Sequence, residues 1–170
     1  MMKERLLGNK EKFAIQYEVT GAINQFLYGK MCYWIQGRQF GKYEEIILSD
    51  TLSSITTIVK DNGNRMHENF FILDMKEVFH LLSGAAFWED NGEIEKRANE
   101  EQWARFNISI DVGTLVHVFA FLIDSNENAR LIFTDNTKKC FQTYVERGYI
   151  DTLFLQLYNE LNLIYDEKCC

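Results

Sequence analysis

The chain has 170 residues, 46% of them hydrophobic and 14% aromatic. A chain of this size buries roughly 70% of its unfolded surface, so a substantial core is expected. Its 18 basic residues against 25 acidic ones give a formal net charge of −7, which disfavours the phosphate backbone as a partner, since binding it needs a basic footprint, and no nucleic-acid partner is expected.

No window approaches the ~18 apolar residues of a membrane span, and no signal-peptide-like run opens the sequence. The four cysteines (Cys32, Cys140, Cys169 and Cys170) include no Cys-x-x-Cys pair. Free thiols in a cytoplasmic protein, away from membranes, are the expectation. Proline is absent, so turns fall to Asn62-Gly63, Asn91-Gly92 and the polar run Asp124–Asn128. Neither a repeat nor a linker interrupts the chain, which predicts one domain over residues 1–170.

In chain order, Phe13, Ile15, Tyr17 and Val19 alternate with Ala14, Gln16 and Glu18, the period-two pattern of a half-buried strand. Residues 30–36 repeat it, with Met31, Tyr33 and Ile35 on one face and Cys32 and Trp34 on the other. Gly37 and Gly41 mark a turn before a weaker strand near 39–47, and such short connections imply antiparallel pairing. Leu52, Ile55, Ile58 and Val59 then fall at helical spacing behind Ser49 or Asp50, and Asn62-Gly63 closes that helix. The run Phe70–Leu73 reads as a short edge strand. Asp74-Met-Lys-Glu77 is a capping box for a second helix striped by Met75, Val78, Phe79 and Leu82 and ended by Gly84.

Residues 88–101 hold six acids and two bases and read as a loop or exposed helix. Beyond them, Phe106, Ile108 and Ile110 alternate as a strand. The run 115–123 reads as a central strand covered on both faces, with 129–135 as its hairpin partner. From about 150 to 165, Leu153, Leu157, Leu161 and Ile164 make a helical face that should pack on the sheet. The expected fold is α+β: a mainly antiparallel sheet of about six strands, two short helices and a C-terminal helix packed on it.

Chemistry is sparse. His67-Glu68 begins like the zinc motif His-Glu-x-x-His, but Phe71 occupies the second histidine position. His80 lies on a helix, and His117, inside the central-strand run, reads as a core or cavity histidine. Neither a nucleophile elbow nor a phosphate loop is present, and Cys32 reads as a small buried apolar residue. No catalytic residue, metal or cofactor is expected, and the chain does not read as an enzyme. Exposed Tyr and Trp beside acids suit a protein interface.

The segments Gly8-Asn-Lys-x-Lys-Phe-Ala-Ile-Gln-Tyr-Glu-Val19, Gly29-Lys-Met-Cys-Tyr-Trp-Ile-Gln-Gly-Arg-Gln-Phe-Gly-Lys-Tyr43, Asp50-Thr-Leu52 and Ile58-Val-Lys-Asp-Asn-Gly-Asn-Arg65 resemble the bacterial immunity protein 42 family. The resemblance is best over residues 8–65. It implies a small cytoplasmic protein that binds the C-terminal toxin domain of a polymorphic or contact-dependent-inhibition toxin, blocking its active site or its access to substrate. It brings no residue-level site with it. Charge density and loop exposure point instead to Trp88, Glu89, Asp90, Glu93 and Glu95, and to the hairpin-loop acids Asp124 and Glu127. The acidic surface would complement a basic, nuclease-type toxin. The alternative is a small-molecule-binding or regulatory domain with a pocket between sheet and C-terminal helix, around His117 and Tyr17.

Overall fold

Strand β1 (Arg5–Asn9) opens an antiparallel sheet continued by β2 (Phe13–Ile23), β3 (Phe26–Ile35) and β4 (Arg38–Phe40), with β5 (Glu45–Ile47) also paired to β3. A second antiparallel sheet has the order β6 (Ala120–Asp124), β7 (Asn128–Thr134), β8 (Cys140–Glu146). Among the described residues five α-helices accompany them: α1 (Leu48–Lys60), α2 (Glu68–Ile72), α3 (Met75–Ala86), α4 (Gly92–Glu100) and α5 (Tyr149–Cys169). The computed structural model describes residues 4–86, 92–135 and 137–169.

The alternation in β2 and β3 becomes one inner face, where Ile15 lies opposite Tyr33 and Tyr17 opposite Met31. The α5 helix lies across it, Phe154 meeting the rings of Phe13 and Tyr33 at 6.3 and 6.2 Å. Ile55 and Ile58 of α1, together with Leu122, Leu131 and Phe133 of the second sheet, complete this main core. The start of α1 closes tightly on the first sheet at Gly29. A Cβ there would stand 2.1 Å from the Glu18 carbonyl oxygen and 2.2 Å from Leu48 Cδ1, so glycine is required.

The opposite face of the second sheet carries Phe121, Ile123 and Ile132 into a smaller core with Phe70, Val78, Leu82, Trp103 and Phe106. Helices α2, α3 and α4 thus form an outer layer over the second sheet. That sheet is covered on both faces, which is why Ala129–Thr134 of β7 are all buried.

Several expectations change. There are two sheets where one was expected, and β1 and β8 were not anticipated. Residues 70–73 contribute to helix α2 and its C-cap, not to an edge strand. The reason is partners remote in sequence. His67 Nδ1 accepts from the Phe70 N–H (3.1 Å) at the N-terminal end. At the other end the buried guanidinium of Arg130 donates to the carbonyls of Phe70, Phe71 and Leu73 (2.9, 3.2 and 2.7 Å).

The central strand is shorter than its apolar run, because Gly113–His117 form a 3-10 turn and β6 starts only at Ala120. Residues 107–109 flank β6 without forming a named strand. Ile108 N–H donates to the Ala120 carbonyl (2.9 Å), and the Ser109 hydroxyl accepts from the Ala120 N–H (2.9 Å). His117 is exposed on its turn, and Tyr17, buried under α5, donates its hydroxyl proton to Glu160. The Phe13, Tyr33 and Phe154 rings fill the space between sheet and α5 that the alternative reading reserved for a pocket.

Candidate partner-binding surface

The residues singled out by charge fall into three environments. Glu93 and Glu95 are exposed in the first turn of α4, a helix with no buried residue. Glu127 is exposed in the β6–β7 turn, where its carbonyl accepts from the Arg147 N–H (2.9 Å). Trp88, Glu89 and Asp90 lie outside the described residues.

Asp124 is not a loop acid. It ends β6 and is 1% exposed, because its backbone is stitched to the segment before α2: Asp124 N–H donates to the Arg65 carbonyl (2.8 Å) and His67 N–H to the Asp124 carbonyl (3.3 Å). Its carboxylate has Arg147 Nε at 3.6 Å but no hydrogen-bond partner among the described residues. Burial, and then the nearby charge of Asp151, push its pKa up.

Beside it Arg65, fully buried, bonds the Asp151 carboxylate, the Ile58 carbonyl and the Arg105 carbonyl. Asp151 also accepts from the Gly63 N–H (2.9 Å). This cluster ties α1, the pre-α2 segment and the start of α5 together.

Glu101, just past α4, acts as a staple. Its carboxylate accepts from Arg97 Nε and Trp103 Nε1 (both 2.8 Å) and lies 3.3 Å from His67 Nε2. Those bonds, Arg97 first, draw its pKa down to about 2 against the opposing effect of burial. Between α3, α4 and the Trp103 turn lies a cleft of about 460 Å³ with Glu95, Asn99 and Gln102 among polar lining and Leu82, Trp103 and Phe121 beneath.

The outer face of the first sheet is paved by its own side chains. Trp34 Nε1 donates to Gln16 Oε1 (2.6 Å), Lys10 Nζ sits 3.8 Å from the Trp34 ring centroid, and Lys30 pairs with Glu18 at 3.2 Å. Beneath them Cys32 is fully buried, and burial pushes its thiol pKa up to about 11, away from nucleophilic character.

Charge-based reading missed an apolar feature, the exposed side chains of Ile72 and Tyr144 on either side of Arg130. A helical reading of 68–72 would have put Phe70 inward and Ile72 outward.

Among the described residues no group of three or more His, Cys, Asp or Glu is placed to hold a metal, and no helix is long and apolar enough to cross a membrane. What the fold presents is an α+β scaffold whose buried titratable groups brace its elements and whose charged helices face outward. The family model described as Immunity protein 42 matches residues 1–160, and the chain belongs to that family. A solved structure described as CdiI from Burkholderia dolosa AUO158 shares the fold, with a TM-score of 0.72 at 17% identity over 92% of this chain and 99% of that one. No curated protein matches the chain.

Proposed function

We propose that this protein is a cytoplasmic immunity protein. In this reading it binds the C-terminal domain of a cognate toxin and neutralises it stoichiometrically, by covering the toxin's active site or its path to substrate, without catalysis of its own. The observation that carries this reading is membership of the Immunity protein 42 family over residues 1–160.

A basic, nuclease-type toxin is the partner the surface suits. Net charge is −7, and the helical layer exposes Glu68, Asp74, Glu77, Glu93, Glu95 and Glu100 against Lys76, Lys96 and Arg97. Such a field steers a basic partner and disfavours wrong ones. Glu93, Glu95 and Glu127 are the proposed contact acids. Buried Asp124 acts through the fold, not by contact.

Co-expression with the toxin encoded immediately upstream tests the proposal. Restored growth and a one-to-one complex on gel filtration are expected. Unaltered killing with no complex would reject it.

A further inference from the structure

Ile72 is 82% exposed, the most exposed large hydrophobic side chain among the described residues, and Tyr144 of β8 is 51% exposed. They share an open groove of about 700 Å³ with Phe71, Leu73 and Met75, floored by Arg130 and Gln142. The Phe71 and Tyr144 rings meet edge to face at 5.7 Å.

An exposed apolar cluster on a charged protein is a marker of an interaction surface. This one is also held rigid. Arg130, only 3% exposed, grips the carbonyls on both sides of Ile72 and bonds Gln142 Oε1 of β8 through Nε and Nη2 (3.0 and 2.6 Å). Ile72 is thus pinned facing outward, and a contact made there costs little ordering entropy. Tyrosine is among the residue types enriched at interface hot spots.

We infer that the Ile72–Tyr144 patch is the apolar anchor of the interface with a basic protein domain, the toxin of the reading above, on which this inference rests. Charge selects that occupant. Asp74 lines the groove beside Ile72, and the same two helices, α2 and the start of α3, expose Glu68 and Glu77 against Lys76. The one cation among the described lining residues, Arg130, is buried and turned to backbone carbonyls and Gln142. The matching surface is an apolar pocket ringed by Lys or Arg. A second copy of this chain, also at −7, would bring acid against acid.

The test measures binding of purified upstream-encoded toxin domain to wild type, Ile72→Asp and Tyr144→Ala, with growth rescue and thermal unfolding alongside. Ile72→Asp is expected to weaken binding by about 30-fold or more, mainly through faster dissociation, with an unchanged melting transition. Tyr144→Ala should weaken it about 10-fold, the lower range for an interface aromatic. Wild type that binds and rescues while Ile72→Asp binds equally well overturns the inference and leaves the functional reading intact. Wild type that neither binds nor rescues removes both. A wild-type dimer that Ile72→Asp dissociates without loss of toxin affinity makes the patch a self-association surface and overturns the inference.

Discussion

Asp124 and Asp151 are both buried near Arg65, yet the protein solvates them differently. Asp151 accepts from the Arg65 guanidinium and the Gly63 amide, whereas among the described residues the Asp124 carboxylate has just the Arg147 guanidinium, at 3.6 Å. Its folded pKa is raised by burial and by Asp151. The native state therefore binds more protons than the unfolded state, and stability falls as pH rises from the ordinary carboxyl value of 3.8 toward the raised folded one. Asp124→Asn should flatten that fall and leave stability at neutral pH unchanged or higher. Asp151→Asn, which leaves Arg65 buried without its carboxylate, should cost about 3 kcal/mol. Urea unfolding across the acid-to-neutral range checks both, and equal losses from the two variants would contradict the assignment.

Glu101 has the opposite sign. Hydrogen bonds from Arg97, then Trp103, lower its folded pKa to about 2 from 4.5. Its contribution is present above 4.5 and is lost as pH falls toward 2. The side chain is 36% exposed, so solvent screening limits the effect to about 1 kcal/mol. Glu101→Gln should show that loss at neutral pH and converge with wild type in acid. A variant equally destabilised at every pH would show that packing, not charge, is what Glu101 supplies.

Among the elements, legibility followed where the backbone finds its hydrogen bonds. The strands β2 and β3 were readable because alternation and pairing lie within one hairpin, and α3 because Asp74 Oδ1 accepts locally from the Lys76 and Glu77 amides. Helix α2 was not, since its C-terminal carbonyls bond Arg130, about 60 residues away. The apolar run before β6 also misled. Gly113 takes a positive φ of 57° and a side chain there would strike Ile46, so the chain turns where hydrophobicity alone suggested a strand. β8 escaped notice because it is an edge strand whose exposed Gln142, Tyr144 and Glu146 dilute the apolar signal. Replacing Arg130 should therefore act on one element first. Arg130→Met fills the space but leaves three carbonyls without their donor, which should cost about 2–4 kcal/mol. Amide exchange should show early loss of protection over residues 70–73. Uniform loosening of the whole chain would argue against Arg130 as the specific tether of α2.

At the scale of the molecule, the candidate surface was half legible because its two components leave different traces. Acids such as Glu93 and Glu95 declare themselves in composition, but Asp124 shows that an acid near a turn can instead be buried, out of reach of a partner. The Ile72–Tyr144 pair joins elements about 70 residues apart and becomes a patch only once Arg130 has joined them. In the proposed complex the two components would govern different steps of association. Long-range attraction between a −7 chain and a basic domain would accelerate encounter and be screened by salt, while a desolvated apolar anchor would resist dissociation. Raising ionic strength from about 0.01 M to about 0.5 M, which shortens the screening length from about 30 Å to under 5 Å, should slow association by about 10-fold or more. Dissociation should change far less. Glu93→Gln combined with Glu95→Gln should reduce both the association rate and its salt slope, with wild-type residence time retained. Stopped-flow mixing with the toxin domain over a salt series separates the steps, and an association rate indifferent to salt would mean that the acidity of these helices serves solubility alone.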